Sequence, residues 1–268
     1  MSATLLLVGC GKMGSAMLAG WKQADPATRL VVVEPFGAPK GLPADVQVVA
    51  SADEIPADFQ PDAIILAVKP QMMDEALPAY ARFADRALYL SIAAGKTLAY
   101  FEKHLGASAR IVRAMPNTPA AVGRGISALV ANGRVDQAGR TLAQQLLSAV
   151  GEVAWVEEEG LLDAVTAVSG SGPAYVFLLV ETLARAGEQA GLPADLAMRL
   201  ARATVMGSGE LLRQSHESAE QLRRNVTSPK GTTQAALDVL MAEGPAGMAD
   251  LLRRAVAAGT NRSRELAG

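Results

Sequence analysis

The stretch Leu5-Leu6-Leu7-Val8-Gly9-Cys10-Gly11-Lys12-Met13-Gly14 decides the fold. An apolar run that reads as a buried strand breaks into G-x-G-x-x-G, and a helical pattern follows at once. Each glycine then has a distinct role. Gly9 permits the tight turn out of the strand, Gly11 lets backbone approach a pyrophosphate, and Gly14 lets the helix pack closely on the sheet. Lys12 and Met13 lie between them in the first turn of that helix, whose N-terminal amides face the anion. A glycine-rich turn alone is weak evidence. Here a second strand, Leu30-Val31-Val32-Val33, ends in Glu34, twenty positions beyond Gly14. An acidic residue at about that spacing holds the ribose hydroxyls of an adenosine. Strand, loop and carboxylate together predict a dinucleotide site.

From residue 1 to about 155, apolar runs alternate with helical stretches. The expected strands are Thr4–Gly9, Leu30–Glu34, Val46–Val49, Ala63–Lys69, Ala87–Ile92, Arg110–Ala114, Ile126–Ala131 and Glu152–Val156. Between them the expected helices are Lys12–Gln23, Met72–Ala84, Leu98–Leu105 and Val135–Val150. This alternation predicts an α/β domain of Rossmann type, with a doubly wound, mostly parallel sheet. The runs at 4–8 and 63–68 are continuously apolar, as central strands covered on both faces are. The character changes at Glu157-Glu158-Glu159-Gly160. A boundary there separates a sheet domain, 1–157, from an all-α domain, 158–268.

Beyond the junction every segment reads helical. Pro173–Ala190 stops at Gly191 with Pro193 just beyond, a helix end followed by a helix start, and the next helix runs to about Arg213. Ser218-Ala219-Glu220-Gln221 fits a capping box. Thr232 and Thr233 read as caps of a fourth helix through Ala242, and Pro245 opens a fifth. Ala184, Leu200, Val205, Leu211, Leu237, Leu240, Leu251, Leu252 and Val256 are more apolar positions than five lone helices can cover. Either they pack on one another and on the sheet domain, or they build the core of a homodimer.

Composition narrows the function. Half of the 268 residues are hydrophobic, 19% are charged, and the formal net charge is −2. That balance suits a soluble globular protein and offers no basic footprint for nucleic acid or an anionic membrane. The length suits two domains. No run approaches eighteen uninterrupted apolar residues, and residues 1–20 lack the basic start and cleavage site of a signal peptide. No membrane span is therefore expected, and the cytoplasm is the expected compartment. Cys10 is the only cysteine, so no intramolecular disulfide is possible, and His104 and His216 stand far apart. No metal site is expected.

Ligands of an open parallel sheet bind beyond the carboxyl ends of its strands. In Ala67-Val68-Lys69-Pro70 the proline ends a strand. Lys69 either flanks the ribose or phosphates of a cofactor or is a solvated strand-end lysine. Ser91-Ile92-Ala93-Ala94-Gly95 puts small residues where a flat ligand can lie on backbone, or where a tight turn is needed. In Met115-Pro116-Asn117-Thr118-Pro119 two prolines fix the backbone around Asn117, whose amide suits a carboxamide or a ribose. Asn and Pro are equally ordinary turn residues. The last cluster is split between Ser169-Gly170-Ser171-Gly172-Pro173-Ala174-Tyr175 and Val226-Thr227-Ser228-Pro229-Lys230-Gly231-Thr232-Thr233. Each reads as a helix N-terminus rich in small hydroxyl residues. That makes an anion site for a substrate carboxylate, against the plainer reading of N-capping.

These segments, in this order and across nearly the whole chain, resemble the pyrroline-5-carboxylate reductases. The two hydroxyl-rich segments carry the likeness more specifically than the glycine loop does. The resemblance implies reduction of 1-pyrroline-5-carboxylate to L-proline, the last step of proline synthesis, with NADPH or NADH as hydride source. It also implies a helical domain that interleaves with a partner's in a homodimer, in some relatives built into a larger ring of dimers. The active site then lies where the cofactor cleft meets the helical half of the dimer. Motif and resemblance together assign Gly9, Gly11, Lys12, Met13, Gly14, Glu34, Ala67, Val68, Lys69, Pro70, Ala93, Gly95 and Asn117 to the cofactor. The resemblance gives Ser228 and the amides of Gly231, Thr232 and Thr233 to the substrate carboxylate. It puts the Thr233 hydroxyl by the ring nitrogen as the catalytic group. A protonated cyclic imine accepts hydride without a nucleophile or metal, so orientation is the main demand on the protein.

Two positions depart from the family pattern. Members commonly carry Gly-Gly after Ser-Pro, whereas this chain has Lys230-Gly231, and lysine enters positive φ less cheaply than glycine. Either position 230 has regular backbone or the loop is shifted; its side chain faces solvent or adds charge beside the carboxylate. Many relatives carry small or basic residues at position 34 for the 2′-phosphate of NADPH. Glu34 repels that phosphate and accepts from a free ribose diol, so NADH is expected to serve at least as well. Against this, Pro35 can turn the carboxylate away and Lys40 can offset it. Two rival readings remain. A β-hydroxyacid dehydrogenase or another imine reductase shares the plan but relies on a lysine of the interdomain helix, and Tyr175–Ala190 has none. A non-catalytic dinucleotide-binding protein has only Lys230 in its favour.

Overall fold

The computed structural model describes residues 3–39 and 41–267. They fall into two compact units, one spanning 1–170 together with 259–268, the other 171–258. The junction expected at 157/158 lies inside the first unit.

Eight strands form one sheet in the first unit: β1 Thr4–Val8, β2 Arg29–Val33, β3 Gln47–Val49, β4 Ala63–Leu66, β5 Leu88–Ser91, β6 Arg110–Met115, β7 Gly125–Ala131 and β8 Gly151–Trp155. Their spatial order is β3-β2-β1-β4-β5-β6-β7-β8. The pairs from β3 to β6 are all parallel; β7 runs antiparallel to β6, and β8 is parallel to β7. The order 3-2-1-4-5-6 is that of a doubly wound dinucleotide fold, with its switch point between β1 and β4. The helices of this unit are α1 Lys12–Ala24, α2 Met73–Ala76, α3 Leu98–Leu105, α4 Gln137–Ser148 and α5 Leu161–Val165.

Alternating strand residues point to opposite faces, and both faces are covered. Leu5, Leu7, Val32, Ile65 and Leu90 pack with Met17, Leu18 and Trp21 of α1 and Leu146 and Leu147 of α4. Leu6, Val31, Ile64, Leu66 and Tyr89 pack with Met73, Leu77, Tyr80, Phe83 and Phe101 on the other side. Here one expectation needs correction. The helix expected over Met72–Ala84 is a single α-turn, α2, between 3₁₀ segments Pro70–Met72 and Leu77–Phe83. Pro78 lacks the N–H that an α-helix would direct to Asp74, and its ring crowds that carbonyl. The apolar face survives the change.

The second unit is helical: α6 Gly172–Gln189, α7 Ala194–Gln214, α8 Ala219–Asn225, α9 Thr232–Leu240, and most of α10 Met248–Ala267, whose last turns belong to the first unit. Gly191 at φ +100 closes α6, and Pro193 is the N-cap of α7. Ala184, Ala197 and Ala201 are the only fully buried hydrophobic residues described in this unit, whereas Phe177, Met206 and Val239 are 67%, 70% and 71% exposed. Leu200, Leu211, Leu240, Leu251 and Leu252 are exposed as well. α5, a π-helical turn at Thr166–Gly170, and α6 run on as 29 helical residues, Leu161–Gln189, long and apolar enough by length and composition to cross a bilayer. Most of that apolar surface is exposed among the described residues.

Candidate active site

Loop 9–14 leaves β1 with Gly9 at φ +89, its N–H donated to the Val33 carbonyl at 2.9 Å. A Cβ on Gly14 would lie 2.6 Å from the Gly9 carbonyl oxygen, so glycine there lets α1 touch its own loop. A Cβ on Gly11 would meet nothing within 4 Å. Gly9 and Gly14 thus serve the fold, while Gly11 opens space above the loop. Gly11 is also the N-cap of α1, with no side-chain cap and no acidic residue in the first turn. The leading amides and the positive end of the helix dipole are left for an anion.

A cleft of about 740 Å³ opens over this loop at the carboxyl ends of β1, β2 and β4, a volume typical of ligand sites. Gly9, Gly11, Glu34, Ala67, Val68 and Lys69 line it, so six of the expected cofactor residues are brought together. Lys12, Met13, Gly14, Pro70, Ala93, Gly95 and Asn117 are not among its walls. The Glu34 carboxylate accepts the Cys10 N–H at 2.8 Å and the Phe36 N–H at 3.3 Å. Pro35 therefore does not turn it away; the carboxylate comes back to the glycine loop. Lys40 lies outside the described residues. Cys10 is buried with its Sγ 3.4 Å from the Ser15 hydroxyl, and burial pushes its thiol pKa up. An open glycine, uncapped helix amides and a carboxylate at the end of β2 fit a dinucleotide.

The other sheet-edge loops are held by contacts that sequence reasoning missed. Ser91 Oγ accepts the Ala93 N–H at 3.2 Å, closing a tight turn that leaves Ala93 buried. At Gly95 a Cβ would lie 2.9 Å from the Leu266 carbonyl oxygen, so the end of α10 closes on this loop. Glu159, read in the sequence only as part of a junction, pairs with Arg113 and accepts the Leu98 N–H at the start of α3 at 2.6 Å. Its isolated acidic run gave no sign of a partner.

Asn117 is buried, and both ends of its amide are engaged. Oδ1 accepts the Ile126 N–H at 2.9 Å, and Nδ2 donates to the Ser169 carbonyl at 3.1 Å, leaving one Nδ2–H for a ligand. The second of these bonds explains a correction. Ser169–Tyr175 is not a free helix start, because the chain is already helical from Leu161 and passes through the π-turn. Pro173 has no N–H to offer the Ser169 carbonyl four residues back, and Asn117 supplies the missing donor. The Ser169 hydroxyl bonds to the Val165 carbonyl at 3.0 Å.

In the second unit, residues 226–233 form the turn into α9. Thr227 Oγ1 donates to the Arg223 carbonyl at 2.7 Å, and the Gly231 N–H donates to the Ser228 carbonyl at 3.0 Å. Lys230 adopts φ +61 with its side chain exposed, so the regular-backbone reading of this position is wrong: lysine itself takes the left-handed conformation. Gly231 is the N-cap of α9, without a side-chain cap, which corrects the expected capping by Thr232 and Thr233. A Cβ on Gly231 would lie 2.4 Å from Ser228 Oγ, so glycine alone leaves that hydroxyl its place. Ser228, Gly231, Thr232 and Thr233 thus share one turn, with the first amides of α9 and the Thr233 hydroxyl uncommitted among the described residues. No group of three or more His, Cys, Asp or Glu among those residues could hold a metal ion.

Known proteins share this layout. A family model described as pyrroline-5-carboxylate reductase dimerisation matches residues 159–266, and one described as coenzyme F420-dependent NADP oxidoreductase matches residues 4–95. The chain is 42% identical to a pyrroline-5-carboxylate reductase of Synechocystis, with 99% of each protein covered. A pyrroline-5-carboxylate reductase structure from Coxiella burnetii matches with a TM-score of 0.89 at 32% identity, covering 100% of both chains. A Plasmodium falciparum pyrroline carboxylate reductase, solved with NADP bound, matches with a TM-score of 0.82 at 29% identity over 99% of this chain and 98% of the other.

Proposed function

The chain belongs to the pyrroline-5-carboxylate reductase family, and from that premise we propose that it reduces 1-pyrroline-5-carboxylate to L-proline with a nicotinamide dinucleotide. The observation that carries this reading is the turn before α9, since glycine loops like that after β1 serve many dehydrogenases. Ser228, the Gly231 N-cap and the uncommitted amides of α9 suit a small carboxylate. The nicotinamide supplies the hydride; the chain's own residues bind and orient. The Gly231 N–H stays on the Ser228 carbonyl, so Ser228 Oγ and the amides of Thr232 and Thr233 hold the carboxylate, which the α9 dipole favours. The Thr233 hydroxyl stands at the ring nitrogen and donates a hydrogen bond to its lone pair while the imine is unprotonated, or relays the proton that this nitrogen takes up. That bond raises the electrophilicity of the imine carbon. No further acid, base or metal is needed.

Glu34 favours a cofactor without a 2′-phosphate. Lys69 is the one cation among the described residues lining the cleft, so a phosphate on the ribose would meet the Glu34 carboxylate. NADH serves at least as well as NADPH. The sheet unit holds the cofactor, and the helical half from about residue 158 holds substrate and partner. The protein works in the cytoplasm as a homodimer whose second copy covers the exposed apolar helices, and rings of dimers are the next level of assembly. Steady-state oxidation of NADH and of NADPH, each dependent on pyrroline-5-carboxylate, tests both statements. Absence of turnover with either cofactor sinks the assignment. A hundredfold preference for NADPH refutes the role given to Glu34. Light scattering distinguishes dimers from rings.

A further inference from the structure

Phe36 is the most exposed of the large hydrophobic side chains among the described residues. It follows Glu34 and Pro35 beyond β2, it is 85% exposed, and it is one of the residues lining the cleft above the glycine loop. The other aromatic ring in that wall, Tyr80, is buried, and burial pushes its hydroxyl pKa up to about 12. Among the described lining residues, Phe36 is the one exposed aromatic. It is also held in register with the rest of the site. Its N–H donates to one oxygen of the Glu34 carboxylate, whose other oxygen takes the Cys10 N–H. The Phe36 backbone, the Glu34 carboxylate and the glycine loop are thus linked through two hydrogen bonds. Across the same cleft the walls are small or apolar, with Ala50, Ala52, Met72, Ala76 and Ala79 contributing.

An exposed phenylalanine in a cleft lined by apolar side chains gains from covering by a flat, weakly hydrated group. We infer that Phe36 is the platform on which the adenine base of the dinucleotide stacks. In that arrangement the ribose reaches Glu34 and the pyrophosphate reaches the loop over Gly11. The inference rests on the reading of this cleft as the dinucleotide site. Stacking of a nucleic-acid base on an aromatic side chain is worth about 5- to 150-fold in affinity.

The test is calorimetric titration of the full-length protein with ADP-ribose, which carries the adenine, ribose and pyrophosphate without the nicotinamide. Wild type, F36A and F36W are compared, with thermal unfolding as the check on fold. The expected result is about tenfold weaker binding by F36A, recovery by F36W, and unfolding temperatures that agree within a degree or two because the side chain is exposed. Equal affinity in wild type and F36A overturns the stacking role while leaving the dinucleotide reading intact. A loss that tryptophan does not restore also overturns it, since a displaced Glu34 carboxylate then accounts for the loss. A wild-type protein that fails to bind ADP-ribose overturns the dinucleotide reading itself.

Discussion

Lys230 holds a backbone conformation that its own side chain resists. At φ +61 it is the one described non-glycine residue with positive φ, and the left-handed region costs an ordinary L-residue about 1–2 kcal/mol. Glycine avoids that cost but loses more freedom on folding, which returns about 0.4–1 kcal/mol. The difference leaves K230G more stable than wild type by about 0.5–1 kcal/mol. K230A is the control. The lysine side chain is exposed and makes no hydrogen bond or ion pair among the described residues, so its truncation alone changes stability by less than about 0.5 kcal/mol. Urea unfolding of the three proteins, at one fixed concentration because assembly contributes to stability, separates the terms. K230G shifts the midpoint up by about 0.2–0.5 M and K230A leaves it in place. The Gly231 N-cap follows directly, so K230G also keeps kcat/KM within about twofold of wild type, an allowance that follows from the intact α9 start. K230P, locked near φ −65°, disrupts that start and raises the KM for the substrate. Identical midpoints for K230A and K230G, or a less stable K230G, refute the reasoning.

The glycines of the first loop separate fold from binding: G14A loses about 1–3 kcal/mol of stability because its methyl group meets the Gly9 carbonyl, whereas G11A keeps wild-type stability and binds ADP-ribose less tightly. Calorimetry and urea melts on the two variants read these effects independently. G231A displaces the Ser228 hydroxyl, so KM for the substrate rises while ADP-ribose affinity stays constant; a normal KM removes Ser228 from the carboxylate site. T233A lowers turnover at least about tenfold, as loss of a positioned proton donor does, with cofactor affinity nearly intact, and wild-type turnover in that variant excludes Thr233 from the mechanism. Cys10 has a raised pKa because it is buried, so the folded protein keeps a proton that the unfolded thiol has released. Its contribution is fully present below the unfolded thiol pKa and declines as pH climbs through and beyond it. Unfolding midpoints measured from pH 7 to about 10 fall more steeply for wild type than for C10A.

Much of the first unit was legible because its signals are local and repetitive. Each of the eight expected strands is present within a few residues, since continuous apolar runs such as Ala63–Leu66 have no stable place except between two covered faces. The cap at Ser218, which accepts the Gln221 N–H at 3.1 Å, and the stop at Gly191 were equally readable. The Met72–Ala84 segment has the apolar period of a helix, and Pro78 is what breaks it into a single α-turn and a 3₁₀ segment. The glycine spacing and Glu34 announced the cleft. The exposure of Phe36 beside it is not written in the sequence, because exposure depends on what the fold places around a residue.

The pattern along the chain therefore determined which segments form strands and helices, where the anion-binding loop lies, and which family the motifs belong to. Only the tertiary structure decided how the groups between those segments are satisfied. Asn117 supplies the donor that Pro173 lacks, reaching a carbonyl 52 residues away, and Glu159 pairs with Arg113 across 46 residues. The left-handed turn at Lys230 and the wedge of Ser228 over Gly231 belong to the same class. Backbone propensity and hydrophobic period act over a few residues, whereas a buried donor or acceptor must find its partner wherever the fold brings one within about 3 Å.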